Sequence, residues 1–157
     1  MFITVGGLAG GVVHVDRAGD LMFPDWEHRI IQPSFESFGP IAFVPKSLET
    51  WFHKNQESGV PMIAEDLLLY LEQNKMRERC LGLYEAQAIQ KKGIRFYREH
   101  FGSEIVLCWK CVIARSDGLR YVPFLAEATG REEVVLGWFP VDCRRHIDAP
   151  VYLFPAQ

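Results

Sequence analysis

Residues 105–126 read IVLCWKCVIARSDGLRYVPFLA and carry the clearest fold signal in the chain. Two runs rich in β-branched and aromatic residues, 105–114 and 119–126, flank the turn sequence Ser116-Asp117-Gly118. An Asp-Gly pair between two such runs is typical of a β-hairpin. The segment therefore predicts two antiparallel strands joined by a tight turn.

Further strands are predicted towards both ends of the chain. Residues 133–139 and 151–154 are short β-branched and aromatic runs, which would extend the hairpin into a meander of three or four strands. Near the start, residues 2–5 and 12–15 are similar runs with the glycine-rich stretch 6–11 between them. Because glycine adopts the positive φ angles of tight turns, we expect a second hairpin there.

Helices are predicted in the middle of the chain. Residues 62–79 favour the first, since apolar residues from Ile63 to Leu71 recur at helical spacing. Residues 83–101 favour a second, although Gly93 weakens its middle by about 1 kcal/mol relative to alanine. A third, shorter helix is predicted after Ser47, which suits an N-cap and precedes apolar residues at helical spacing, Leu48, Trp51 and Phe52.

The predicted fold class is α+β. We expect an antiparallel β-sheet, made of an N-terminal hairpin and a C-terminal three- to four-stranded meander, with a central block of two to three helices packed on one face. Residues 21–45 contain four prolines and are expected to be irregular, with short strands. Given 157 residues, of which 48% are hydrophobic, residues 1–157 are expected to form a single domain.

The sequence indicates a protein of a reducing, aqueous compartment. No export signal is recognisable at the start, and no apolar run approaches the roughly 20 residues that cross a bilayer. The four cysteines, Cys80, Cys108, Cys111 and Cys143, are too scattered for a disulfide framework. We therefore expect a cytoplasmic protein with free thiols and no membrane contact.

Charge is distributed unevenly along the chain, and this asymmetry is the best indication of a partner. Residues 1–74 hold four basic and ten acidic side chains, whereas residues 75–100 hold seven basic and three acidic ones. The basic residues are Lys75, Arg77, Arg79, Lys91, Lys92, Arg95 and Arg98. Such a segment indicates an acidic protein partner or a nucleic-acid backbone. The net charge of −3 favours the protein partner.

One part of this segment forms the predicted partner-binding surface. On a continuous helix Lys91, Arg95 and Arg98 would share a face, because they are four and three residues apart. Together with Lys92 and Tyr97 they make up what we call the 91–98 surface. The competing interpretation is an ordinary solvated helix face.

A metal site is a separate interpretation, at the start of the chain. His14 and Asp16 lie two residues apart on a predicted strand and therefore share a face. With one distant histidine they would form the two-histidine, one-carboxylate ligand set of iron enzymes. His53, His100 and His146 are the candidates for the third ligand, and the sequence selects none of them. Exposed turn residues are the alternative.

The cysteines are weaker candidates for chemistry. Cys108 and Cys111 form a CxxC pair, but on a single strand their side chains would point to opposite faces, so buried structural thiols are expected. Cys143 shares a predicted loop with Asp142 and His146, without a recognisable nucleophile motif.

These observations predict a small non-catalytic binding or regulatory protein, of the inhibitor or adaptor type, that acts through protein–protein contacts. One alternative is a metal-dependent enzyme that uses His14 and Asp16, and the other is nucleic-acid binding through the basic segment 75–98. No cofactor is expected, since the glycine-rich stretch 6–11 precedes a strand, whereas a dinucleotide-binding loop opens a helix.

Overall fold

A five-stranded antiparallel sheet lies at the centre of the molecule. The computed structural model describes residues 11–156. The strands in these residues are Val13–His14 (β1), His28–Ile31 (β2), Ala42–Phe43 (β3), Glu49–Trp51 (β4), Val106–Leu107 (β5), Val112–Arg115 (β6), Arg120–Glu127 (β7), Val134–Pro140 (β8) and Val151–Leu153 (β9). Strands β2, β5, β6, β7 and β8 form the central sheet. The α+β class with an antiparallel sheet is confirmed.

Strand β7 pairs with neighbours on both of its edges, and it confirms the predicted hairpin. It follows β6 after a tight turn in which Gly118 has a φ of 89°. The backbone N–H of Arg115 closes this turn by donating to the carbonyl of Leu119 at 2.8 Å. On the other edge β8 pairs along β7 from Tyr121 to Glu127, as the third strand of the predicted meander.

The run 105–114, predicted as one strand, is two strands separated by a turn. Both β5 and β6 pair with the same edge of β7. Between them the N–H of Cys111 approaches the carbonyl of Cys108 at 3.4 Å. Pro123 of β7 lies opposite this break: its carbonyl accepts the N–H of Cys108 at 2.8 Å. Because Pro123 has no N–H to donate, the hydrogen-bond ladder along this edge of β7 lacks a donor at residue 123, and it is interrupted there.

The helices that lie wholly within residues 11–156 are Lys54–Glu57 (α1), Ala64–Gln73 (α2), Leu83–Lys92 (α3) and Ile94–Phe101 (α4), with short 3-10 helices at Pro33–Ser37, Pro45–Ser47 and Arg77–Arg79. The predicted helix over 62–79 corresponds to α2 and the 3-10 turn after it. The predicted helix over 83–101 is divided at Gly93, where φ is 91° and ψ is 177°. This conformation is essentially restricted to glycine, so the helix ends there and a new one begins.

Two local predictions near residue 50 and residue 152 are wrong for the same reason. The helix expected after Ser47 is instead strand β4, and the fourth meander strand, β9, pairs with β4 rather than with β8. Trp51 lies opposite Val151 in this pair. Pairing between residues about 100 positions apart outweighs a weak local helix pattern.

The start of the described chain also joins a distant segment. Strand β1 pairs antiparallel with β3, and residues 2–5, the other strand of the predicted N-terminal hairpin, lie outside the described residues. The segment 21–45, expected to be irregular with short strands, contributes β3 and also β2, which extends the central sheet beside β6.

Helices cover both faces of the central sheet. Leu125 and Val134 pack with α3 and α4 in one cluster of buried side chains. Val122 and Leu107 pack with α2 in another. Packing on a single face, expected for the whole helical block, therefore holds for α3 and α4, while α2 covers the opposite face. None of the helices within residues 11–156 is long and apolar enough to span a membrane.

Candidate functional site

The predicted 91–98 surface does not form as one helix face. Lys91 lies near the end of α3, whereas Arg95 and Arg98 lie in α4, and Gly93 separates the two helices. Spacings of four and three residues place side chains together only along a continuous helix. The prediction that Lys91 shares a helix face with Arg95 and Arg98 is therefore wrong.

Tyr97 belongs to the core rather than to this surface. Its exposed fraction is 0%. Its hydroxyl lies 3.0 Å from the carbonyl oxygen of Leu125 and also contacts that of Glu104. Burial raises the pKa of Tyr97, so the hydroxyl remains a donor to these carbonyls. The side chain is not available to a partner.

Several cations of the basic segment are engaged within the molecule. Arg98 forms a bidentate ion pair with Glu127, in which Nε and Nη2 each donate to a carboxylate oxygen at 2.9 Å. Arg79 pairs with Glu49 at 3.0 Å. Arg77 is only 2% exposed. The segment therefore presents less positive charge to a partner than its sequence suggests.

Lys91 and Arg95 keep their charges at the surface. Both side chains are exposed, and within residues 11–156 neither forms an ion pair. Lys92 lies between them in the sequence, and its Nζ is 4.9 Å from the centroid of the Phe96 ring, at cation–π distance. Lys91 and Arg95 are thus the members of the predicted surface best placed to meet an acidic group.

A cavity of about 210 Å³ brings Lys91 together with His14 and Asp16, which the sequence analysis assigned to a different interpretation. One wall comes from the chain around and after β1, and the other from α3. The lining residues are His14, Asp16, Gly19 and Asp20 on the first wall and Tyr84, Gln87, Ala88 and Lys91 on the second. The four helix residues are three, one and three positions apart, so they lie on one face of α3.

Hydrogen bonds fasten the two walls to each other. The hydroxyl of Tyr84 donates to the carbonyl of Gly19 at 3.3 Å. The side-chain amide of Gln87 donates through Nε2 to the carbonyl of Asp20 at 3.1 Å, and its Oε1 accepts the N–H of Met22. The shape of the cavity is therefore fixed by the contact between α3 and residues 19–22.

His14 and Asp16 are exposed on the same side of the chain, as their spacing predicts, while Val13 and Val15 are buried. Asp16 shapes the following turn, because its Oδ1 accepts the N–H of Ala18 at 3.1 Å. In the part of the chain that the structure describes, no three His, Cys, Asp or Glu side chains come together in a way that could hold a metal ion.

The three histidines considered as a third ligand have other surroundings. His53 caps α1, since its Nδ1 accepts the N–H of Asn55 at 3.0 Å. His100 packs on Phe96 with 4.3 Å between ring centroids. His146 lines two other cavities, of about 320 and 300 Å³. None of these three lines the cavity that contains His14 and Asp16.

Charged side chains from five segments meet in the interior of the molecule. We call them the buried charge cluster; its members are Glu36, Arg77, Glu85 and Lys110, which are buried, and Arg17, which is partly buried. Arg77 joins the cluster through its Nη2, which donates to the backbone carbonyl of Lys110 at 2.9 Å. Glu85 is 0% exposed and lies between two cations: one carboxylate oxygen pairs with Arg17 Nη2, and the other is 4.0 Å from Lys110 Nζ. Buried charges are tolerated when they are paired in this way.

The cations of the cluster also hold the loop between β2 and β3. Lys110 Nζ donates to the carbonyl of Phe38 at 2.6 Å. Arg17 Nη2 donates to the carbonyl of Pro40 at 3.0 Å. Gly39 has a φ of 137°, and an added Cβ would lie 2.1 Å from Arg17 Nη2. The loop can therefore approach the guanidinium closely because position 39 has no side chain.

Glu36 is the member whose ionisation is disfavoured. It is 6% exposed; its Oε1 accepts the N–H of Leu83 at 3.2 Å, and its Oε2 has no hydrogen-bond partner among the described residues. Burial raises the pKa of Glu36, and the charge of Glu85 adds to this, against the opposing effects of the Leu83 N–H and of Lys110. Loss of the proton from Glu36 is therefore less favourable here than it is in water.

Sequence reasoning did not find this cluster, although two residues carry a signal. Lys110 interrupts an apolar run that was predicted to be a strand, and a lysine in such a place is buried only when it is paired. Glu85 is the third residue of α3, and its Oε1 accepts the N–H of Gly82 at 2.6 Å, as in a capping box. Which cations meet Glu85 depends on the tertiary fold.

The buried thiols are unreactive in this structure. Cys80, Cys108 and Cys111 are buried, and Cys143 is exposed. Burial raises the pKa of Cys80 to about 12 and raises those of Cys108 and Cys111 as well. Because the thiolate is the nucleophilic form, these three side chains are structural at neutral pH. Cys108 and Cys111 flank a turn, so the expectation of a single strand is corrected while their burial is confirmed.

Asp142, Cys143 and His146 do not form a nucleophile with an oriented base. The carboxylate of Asp142 is held by Arg120, whose Nη2 and Nε donate to it at 2.7 and 3.0 Å. This contact lowers the pKa of Asp142. A carboxylate engaged by an arginine in this way is not free to orient His146.

No family model, no curated protein and no solved structure matches this chain.

Proposed function

We propose that this chain is a non-catalytic binding protein, of the inhibitor or adaptor type, that recognises an acidic protein partner through Lys91 and Arg95. The observation that supports this proposal is the exposure of these two cations without an ion pair within residues 11–156. An exposed ion pair contributes about 0.2–1 kcal/mol. The two cations would therefore set the orientation and the rate of association more than the affinity.

An acidic protein is favoured over nucleic acid because much of the basic segment is engaged internally. Arg77 is buried, and Arg79 and Arg98 pair with glutamates. The affinity for nucleic acid grows with the number of phosphates that are neutralised. Within residues 11–156 three exposed cations of the segment form no ion pair, Lys75, Lys91 and Arg95, and on a chain of net charge −3 these neutralise few phosphates.

A binding role is favoured over a metal-dependent enzyme because of the composition of the cavity. Lys91 lines the same cavity as His14 and Asp16. The ammonium group of a lysine repels a divalent cation. The cavity is therefore better suited to an organic group than to a metal ion.

Charge reversal tests the proposal. The protein would be immobilised as wild type, as Lys91→Glu/Arg95→Glu and as Lys46→Glu/Lys54→Glu, a control pair of exposed lysines with the same change in charge. Partners captured from the native host would be quantified by mass spectrometry, and circular dichroism would confirm the fold of each variant. We expect a stoichiometric partner on the wild type and the control, and at least a roughly tenfold loss on Lys91→Glu/Arg95→Glu. Equal recovery on all three would refute the proposal.

A further inference from the structure

The cavity between β1 and α3 has groups of opposite charge in its lining. Asp16 and Asp20 contribute carboxylates from the first wall, and Lys91 contributes an ammonium group from the second. All three side chains are exposed and therefore accessible to a ligand. A ligand that presents a cation to the first wall and an anion to Lys91 would complement both walls at once.

We propose that this cavity binds a small basic zwitterion, with its guanidinium or ammonium group at Asp16 and Asp20 and its carboxylate at Lys91. A free basic amino acid and the C-terminal basic residue of a peptide share this chemistry. The site shares Lys91 with the function proposed above, but it requires neither Arg95 nor a protein partner.

The size of the cavity agrees with such a ligand. Its volume of about 210 Å³ is well above the roughly 10–15 Å³ of such space that a single water molecule needs. This space accommodates a small polar molecule or one long side chain.

The cavity is formed before a ligand arrives. Tyr84 and Gln87 of α3 hold the carbonyl groups of Gly19 and Asp20 at 3.3 and 3.1 Å. The turn that carries Asp16 is closed by its own contact with the N–H of Ala18 at 3.1 Å. Since little chain has to be ordered on binding, even a small ligand can be bound with measurable affinity.

Titration of the isotope-labelled protein, followed by NMR, tests the proposal with three probes. Arginine carries both charged groups, agmatine lacks the carboxylate, and citrulline has a neutral side chain of nearly the same shape. Arginine should shift the amide signals of Gly19, Asp20 and Ala88 saturably, with a dissociation constant on the order of 1 mM. Agmatine should bind about two- to fivefold more weakly, and citrulline should cause no saturable shift.

Two variants locate the site. Asp16→Asn/Asp20→Asn keeps an oxygen that accepts the Ala18 N–H and should weaken arginine binding roughly tenfold. The control, Asp25→Asn/Glu27→Gln, removes two exposed carboxylates that follow in the sequence and do not line the cavity, and it should bind as the wild type does.

Equal binding of arginine and citrulline, unchanged binding by the Asp16→Asn/Asp20→Asn variant, or no saturable shift with arginine would each overturn the proposal. The comparison of arginine with citrulline on the wild-type protein tests the proposal even if the Asp16→Asn/Asp20→Asn variant does not fold. A peptide with a C-terminal arginine, compared with its amide, distinguishes a peptide end from a free amino acid. These measurements use purified protein, so their outcome is separate from that of the partner capture.

Discussion

Replacement of Glu85 by glutamine is expected to lower the free energy of unfolding by about 3–5 kcal/mol. Glu85 is fully buried, and its carboxylate is the counter-ion of Arg17 and Lys110. Glutamine keeps an oxygen for the N–H of Gly82 but carries no charge, so two cations stay in the interior without this counter-ion. The expected loss is several times that of an exposed ion pair, about 0.2–1 kcal/mol.

Urea unfolding followed by circular dichroism near neutral pH measures this effect. Glu99→Gln is the matched control, because Glu99 lies in α4 with a side chain that is 74% exposed, and a change of at most about 0.5 kcal/mol is expected there. The double variant Glu85→Gln/Lys110→Met should recover part of the loss, since it also removes one of the uncompensated cations. A loss below about 1 kcal/mol for Glu85→Gln would show that this carboxylate does not compensate the buried cations.

Two further substitutions test the cluster and the helix break. The pKa of Glu36 in the folded state is raised above the ordinary carboxyl value of 4.5. The folded state therefore binds this proton more tightly than the unfolded state does, and the free energy of unfolding decreases as the pH rises above 4.5. Glu36→Gln should remove this loss: its free energy of unfolding relative to that of the wild type, measured in urea, should rise as the pH increases above 4.5, and a constant difference would contradict the assignment. Gly93→Ala should destabilise the protein by about 1–3 kcal/mol in thermal unfolding, since φ 91° with ψ 177° is essentially a glycine conformation; a stabilised variant would instead favour one continuous helix.

The parts of the fold that follow from short-range signals were predictable. The Asp117-Gly118 turn predicted the hairpin of β6 and β7, because the residue types that the turn requires are local. Helix α2 followed from its apolar periodicity. The class α+β follows from these elements, since a hairpin meander and amphipathic helices have few ways to bury their apolar faces together.

The parts that were missed depend on long-range contacts or on a residue whose effect was underestimated. Strand β4 forms because β9 pairs with it, and the residues near Ser47 do not predict that pairing. Gly93 was treated as a weakened helix position, whereas its backbone conformation ends the helix. Pro123 was a usable signal for the break between β5 and β6, because a proline inside a sheet removes one donor from the ladder.

The candidate site was predictable in its pieces and not in their arrangement. The spacing of His14 and Asp16 placed both on one exposed side of the chain, as found. Their meeting with Lys91 at one cavity could not be derived, because it depends on how α3 packs against residues 19–22. Glu85 and its cations come from segments far apart in sequence, and charge patterns along a chain do not specify which buried charges will pair.

The buried charge cluster and the cavity are connected through one ion pair. Arg17 lies between Asp16 and Gly19 in the sequence, and it pairs with Glu85, the neighbour of Tyr84 on the opposite wall. A buried ion pair is favourable only over a narrow range of geometry, because its desolvation cost is offset only when the charged groups are in contact. An apolar contact between the same two segments would be less directional and would allow one wall to shift along the other. The Arg17–Glu85 ion pair therefore fixes the distance between the two walls. The same buried carboxylate that costs desolvation energy thus also determines the shape of the cavity.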